Sequence, residues 1–262
     1  NSSSKLTDND YKAIDLLLSN LTEVKEAKQT LNQKNVAESS WADAFSYPNL
    51  STENIILQAI NSQVYNFDEN SYISDSETKR KVLAILKRMF INDTEEIVYL
   101  TRYYDVVTNN EIDIDYTQPE LKELATLYAK YYATTFENAP SFIEVLDARF
   151  ELKVNNSDGM LSWSDYKNLN ANLANNVAWS VVESKETNLY AQALKWAELA
   201  VGLDKNSPYF LDTLGHLYYF TGNKQKAIEV QTKAVESAKS EQNPSLEFST
   251  TSVLNKIKAN KL

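Results

Sequence analysis

The chain has 262 residues, a formal charge of −10 from 36 acidic and 26 basic residues, no cysteine and one histidine. These totals exclude disulfides, thiol catalysis and cysteine-based or multi-histidine metal sites, and they oppose a general affinity for nucleic-acid backbones or anionic membranes. Four glycines and five prolines make up about 3 % of the chain against roughly 12 % in average usage, which disfavours turn-dense β architectures.

All four glycines lie after residue 158, so the first 158 residues hold neither a P-loop nor a glycine-rich dinucleotide fingerprint. No run approaches the ~18 apolar residues of a membrane-spanning helix. The chain opens Asn1-Ser-Ser-Ser without a methionine, which reads as a processed or truncated start, export being one cause. Sequons at Asn20, Asn49, Asn92 and Asn155 are what an asparagine-rich chain produces by chance.

In chain order, three- and four-residue spacing of Ile14, Leu17, Leu18, Leu21 and Val24 predicts a helix from Asp10. Ser39 to Asn49, with Trp41, Phe45, Tyr47 and Pro48, reads as a short helix and an aromatic-anchored turn, and a helix follows from Ser51. Asn66 to Ser76 is a polar loop. Glu77 to Phe90 is helical, and Asp93 or Thr94 caps the next helix, whose stripe runs from Ile97 to Val107 through Tyr103 and Tyr104. Asn109 to Gln118 alternates with period two and reads as a short extended segment.

Pro119 starts a helix where its missing N–H does no harm, and that helix runs to about Phe136. Pro140 opens its partner, which ends in a turn at Asn155 to Gly159. Ser162 or Ser164 caps a long helix to Glu183. Two helical pairs complete the series, and a terminal helix spans Thr250 to Ala259. Alternate helices begin near 77, 119, 164 and 208, the spacing of long helical hairpins stacked side by side.

A repeat is visible near the C-terminus. Ala193, Leu194 and Ala200 recur 34 residues later as Ala227, Ile228 and Ala234, with Leu214-Gly215 ahead of the second set. With Leu211, Leu214, Gly215 and Tyr218 in a first helix and Ala227 and Ala234 in a second, Asn172 to Ala238 resembles tetratricopeptide repeats. The turn from Ser184 to Asn188 is about three residues longer than that pattern. Gln231 stands where an aromatic is usual, and Lys205 and Lys239 replace the closing prolines.

The runs 173–179, 193–197 and 211–218 also resemble the helical tail of certain bacterial extracytoplasmic thioredoxin-fold proteins. Their CxxC redox domain has no counterpart here, so the resemblance implies an exported bacterial accessory role and no redox activity; a cytoplasmic location is the alternative.

The resemblance implies an all-α, right-handed α-solenoid of stacked helical hairpins. Its parts are a helical N-terminal cap (1–65), hairpins of solenoid type (66–160), and tetratricopeptide-like repeats with a capping helix (161–262). It also implies a concave groove lined by Asn172, Asn175, Trp179 and Val182, then Tyr209, Asp212, His216 and Tyr219. Amides suit a peptide backbone and aromatic rings supply rigid contact area. The bland alternative is that Trp179, Tyr209 and Tyr219 pack against neighbouring helices.

Asp212 and His216, four apart, share a helical face and form the one candidate acid–base pair. No nucleophile signature accompanies them. The basic run Lys79, Arg80, Lys81, Lys87 and Arg88 reads as a solvated face paired with carboxylates. Asp113 with Asp115, and Asn155, Asn156 and Asp158, are weak Ca²⁺ candidates. Sixteen tyrosines raise carbohydrate recognition as a minor alternative, although in the doublets 103–104, 131–132 and 218–219 one ring is expected in the core and one at its boundary.

The sequence thus predicts a non-enzymatic binding protein with a protein or peptide partner and no cofactor, metal, nucleic acid or membrane span. The alternatives are a helical enzyme using His216 and Asp212, or a structural module of a larger exported assembly.

Overall fold

The computed structural model describes residues 6–33, 56–57, 59–60, 65–66, 71–72, 75–90, 96–108, 113–156 and 162–262. Side chains are described for all of these except 21–33, 65–66, 71–72 and 152–156. The described residues form ten α-helices and one two-residue β-pair, so the protein is all-helical. The helices are α1 (Asp8–Gln33), α2 (Ser76–Phe90), α3 (Glu96–Thr108), α4 (Pro119–Thr135), α5 (Phe142–Asn156), α6 (Trp163–Glu183), α7 (Tyr190–Leu203), α8 (Pro208–Phe220), α9 (Lys224–Ser240) and α10 (Pro244–Lys258). None is long and apolar enough to cross a membrane.

The chain divides into two compact units, one of residues 1–99 and 108–111, the other of 100–107 and 112–262. In the first, Thr7 and Asp10 cap α1 reciprocally: Thr7 N–H donates to the Asp10 carboxylate (2.7 Å) and Asp10 N–H to the Thr7 hydroxyl (3.4 Å). Asp75 caps α2, accepting from Glu77 N–H at 3.2 Å. Val82, Leu83, Ile85, Leu86 and Met89 are buried, as the periodicity predicts. The basic run on α2 pairs with carboxylates: Lys81 with Glu77 (3.1 Å) and Asp8 (3.8 Å), and Arg88 with Asp15.

The polar stretch expected as a loop contributes the β-pair, Tyr65–Asn66 against Ser71–Tyr72, antiparallel. The aromatic turn at Trp41 to Pro48, the caps Asp93 and Thr94, and most of the Asn155–Gly159 turn lie outside the described residues. Of the helix expected from Ser51, residues 56–57 and 59–60 are described and are helical.

In the second unit α6, α7, α8, α9 and α10 pack in succession, each against the next. Small side chains permit the close approach: Ala193, Ala197 and Ala200 on α7 and Ala227, Ala234 and Ala238 on α9 are fully enclosed. α4 lies against α6, and α5 against α6 and α7. Trp196 of α7, fully buried, meets Tyr128 of α4 edge-on at 5.2 Å. Tyr131 donates to Asn170 Oδ1 at 2.7 Å, and Asn170 donates back to the Tyr166 carbonyl at 2.9 Å.

The helix boundaries follow local chemistry. Ser162 and Asp165 form a capping box on α6, while Ser207, Asn223 and Asn243 cap α8, α9 and α10 with side-chain oxygens. α10 starts at Pro244, six residues before the expected Thr250, because Asn243-Pro244 is a cap followed by a first-turn proline. The ends of α6, α8, α9 and α10 share one form, with Lys185, Gly222, Gln242 and Asn260 at positive φ (57°, 87°, 54° and 55°). After α8, Gly222 N–H returns to the Tyr219 carbonyl and Asn223 N–H to that of Tyr218; after α9, Gln242 and Asn243 repeat the pattern. The long turn after α6 is taken up by a 3₁₀ turn, Thr187–Leu189, and by Glu186 pairing with Lys122 at 2.5 Å.

Candidate functional site

The eight residues predicted to line a groove do not share one surface. Trp179, Asp212 and His216 come together where α6 meets α8. The His216 ring stands edge-on to the Trp179 indole, 5.2 Å between centroids at 86°. His216 Nδ1 lies 2.9 Å from the Asp212 carbonyl and 3.5 Å from its carboxylate. A carbonyl oxygen only accepts, so Nδ1 carries the proton.

The polar chain continues across two more helices. Gln231 Nε2 of α9 donates to Asp212 Oδ1 (2.5 Å) and to the Thr250 carbonyl of α10 (3.2 Å). Gln231 is fully buried, a polar clasp where the tetratricopeptide pattern expects an aromatic. On the other side, the Trp179 indole N–H donates to the Tyr116 phenol, which burial and the nearby Glu183 charge push upward in pKa and this hydrogen bond pulls down. This chain ties α6, α8, α9 and α10 together, and its imidazole is 8 % exposed.

Val182 and Asn175 are buried, and the Asn175 carboxamide oxygen has no hydrogen-bond partner among the described residues. Tyr209 is 57 % exposed, apart from the cluster. Tyr219 is half-buried edge-on to Phe220 at 5.7 Å. The doublet expectation holds for Tyr103 (buried) and Tyr104 (half-buried) but fails elsewhere: Tyr131 and Tyr132 are both buried, and Tyr218 and Tyr219 are both half-buried. Phe136, which ends α4, explains the former pair, since its ring meets both at 5.8 Å.

Asn172 belongs to a different surface. It is exposed, donates Nδ2 to the Asn168 carbonyl at 2.8 Å, and lines a groove of about 380 Å³ between α6 and α3. Asn168, Asn172 and Asn176 supply the α6 side; Thr101, Tyr104 and Asp105 supply the α3 side. Leu169 and Leu173 give it apolar surface, and Asp165 in the first turn of α6 completes it.

Asp105 is the electrostatic centre of this groove. Burial raises its pKa, and Arg102 at 3.6 Å offsets that in part. The Tyr104 phenol is pushed up to about 12, first by burial and then by the charges of Tyr116 and Asp105. Behind it, Tyr103 donates to Glu123 at 2.7 Å and fixes α3 against α4.

The sequence reading did not single out Thr101, Asp105, Asn168 or Asn176. The four-residue spacing of Asn168, Asn172 and Asn176 was the available signal, whereas nothing local links Asp105 to them. Among the described residues no group of three metal-binding side chains is present. The Asp115 carboxylate is used to hold its own turn, accepting from Thr117 N–H (2.9 Å) and hydroxyl (2.6 Å). Residues 157 and 158 lie outside the described set.

The fold and this groove define a class, an all-helical protein of packed successive helices with a polar groove on one of them. No family model, curated protein or solved structure matches the chain.

Proposed function

We propose that this chain is a non-enzymatic, tetratricopeptide-like helical-repeat protein that binds a protein or peptide partner. The single observation that carries the proposal is the groove on α6, where three in-line asparagines face a half-buried carboxylate and a tyrosine. A carboxylate kept partly out of water costs stability, and such groups concentrate at binding and catalytic sites. The successive packing of α6 to α10 on buried alanines supports the repeat reading.

Within that reading, the expected binding face narrows. Asn172 stays in it, while Trp179, Asp212 and His216 act as a packed seam between α6 and α8. The enzyme alternative has less support, because His216 spends its Nδ1–H on a main-chain carbonyl and meets an indole on its face. An exported bacterial setting belongs to the same proposal and is checked by looking for an export signal encoded upstream of Asn1.

The test is selection from an unbiased displayed peptide library, followed by affinity measurement on Asn172→Ala and Asn176→Ala variants. Selected peptides should lose about tenfold in affinity or more, equivalent to about 1.4 kcal/mol, with melting unchanged. Recovery of no binders, or equal binding by both variants, overturns the proposal. A hydrolase or transferase activity abolished by His216→Ala would replace it with the enzyme reading.

A further inference from the structure

Asn168, Asn172 and Asn176 stand four residues apart on one helix, and all three line the groove. Four residues of α-helix advance about 6.0 Å. Two residues of an extended chain advance about 6.6 Å. A strand laid along α6 therefore brings alternate peptide units past successive carboxamides, drifting by only about 1 Å over the three. Each carboxamide offers a donor and an acceptor, which is what a peptide unit presents in return. Asn172 spends one N–H on the Asn168 carbonyl and keeps its oxygen and second N–H.

Asparagine is a poor choice for the interior of a helix, since its side chain competes with the helical backbone. Asn168 and Asn172 are exposed and Asn176 is half-buried, and three in register cost α6 some of its helix propensity. The charge of the groove then selects among peptides. Its lining holds Asp105 and Asp165 and no lysine or arginine. Asp165 gives one oxygen to the Ser162 cap. Among the described residues Asp105 has Arg102, at 3.6 Å and outside the lining, as its ion-pair partner.

We infer that the groove binds an extended peptide segment, its backbone held on the Asn168–Asn172–Asn176 ladder and a lysine or arginine side chain directed at Asp105. This rests on the peptide-binding proposal above and adds the ligand's conformation and charge.

The experiment uses fluorescence anisotropy on the full chain with short synthetic peptides: alternating Lys-Thr, the same peptide with Glu for Lys, and the Lys-Thr peptide N-methylated at alternate amides. The Lys-Thr peptide should bind about tenfold more tightly than either of the others. Asp105→Asn should erase most of the preference for Lys over Glu, and Asn172→Ala should weaken Lys-Thr binding. A Glu229→Gln/Glu236→Gln variant removes charge from exposed positions on α9 and should change nothing.

Equal binding of the N-methylated peptide overturns the ladder. A loss in the α9 variant equal to that of Asp105→Asn overturns the charge assignment, as does a Lys-Thr peptide that does not bind. In each case library-selected peptides that still need Asn172 would leave the broader proposal standing. Thermal melts of every variant separate lost binding from lost fold.

Discussion

Gly215 of α8 lies so close to the carboxamide of Gln231 on α9 that a β-carbon there would collide with Gln231 Oε1. The amide cannot withdraw freely, because its nitrogen is bonded to Asp212 and to the Thr250 carbonyl. Gly215→Ala should therefore destabilise the chain by about 1–2 kcal/mol, overpacking outweighing the roughly 1 kcal/mol gained in helix propensity. In a Gln231→Ala background the same change should cost less, giving a coupling of about 1–2 kcal/mol in a double-mutant cycle. Additive effects in urea denaturation would mean that the two residues do not share this strain.

Gln242 closes α9 at φ 54° in a position that Gly222 fills after α8. A non-glycine residue in the left-handed region costs roughly 1–2 kcal/mol, part of which glycine returns as unfolded-chain entropy. Gln242→Gly should raise stability by about 0.5–1 kcal/mol, and Gly222→Ala should lower it by about 1 kcal/mol. A lower urea midpoint for Gln242→Gly would contradict the backbone geometry.

Tyr128 is fully buried and its hydroxyl has no hydrogen-bond partner among the described residues. Burial holds its phenol far above the ordinary tyrosine range. Tyr128→Phe keeps the edge contact with Trp196 and removes an unsatisfied polar atom, so it should stabilise by about 1 kcal/mol, or about 2–4 °C in melting temperature. Calorimetry showing a destabilised variant would indicate that the hydroxyl is bonded after all.

Asp105 sets the pH response of the groove. Its folded-state pKa lies above the unfolded value of 3.8 because burial disfavours the anion. The folded state thus holds this proton more tightly, and the associated stability is present below the unfolded value and lost as pH rises through the folded one. Asp105→Asn should be more stable than the parent at pH 7, with the difference shrinking towards pH 3. A gap of equal size at both pH values, measured by denaturant midpoints, would rule out burial of this carboxyl as its source.

The local parts of the fold were legible because local chemistry decides them. Ser162 with Asp165 marks a capping box in the sequence, and it starts α6. Asn243-Pro244 carries an equally local signal, a cap and a first-turn proline, and it sets the start of α10 ahead of the expected Thr250. The groove could not be read in the same way, since Asp105 on α3 and Asn168 on α6 come to line it only in the folded chain. Repeat position alone puts Trp179 and His216 on an open face. Their mutual edge contact and the Tyr116 hydrogen bond instead make them a partly covered seam.

That seam supplies an optical handle. Trp179 touches both an imidazole and a phenol, whereas Trp196 sits in a fully enclosed site against Tyr128. Indole emission responds to the groups packed against the ring, so a His216→Phe chain should show a changed Trp179 component while that of Trp196 stays the same. The protein carries its own reporter of the junction between α6 and α8, readable without any attached dye.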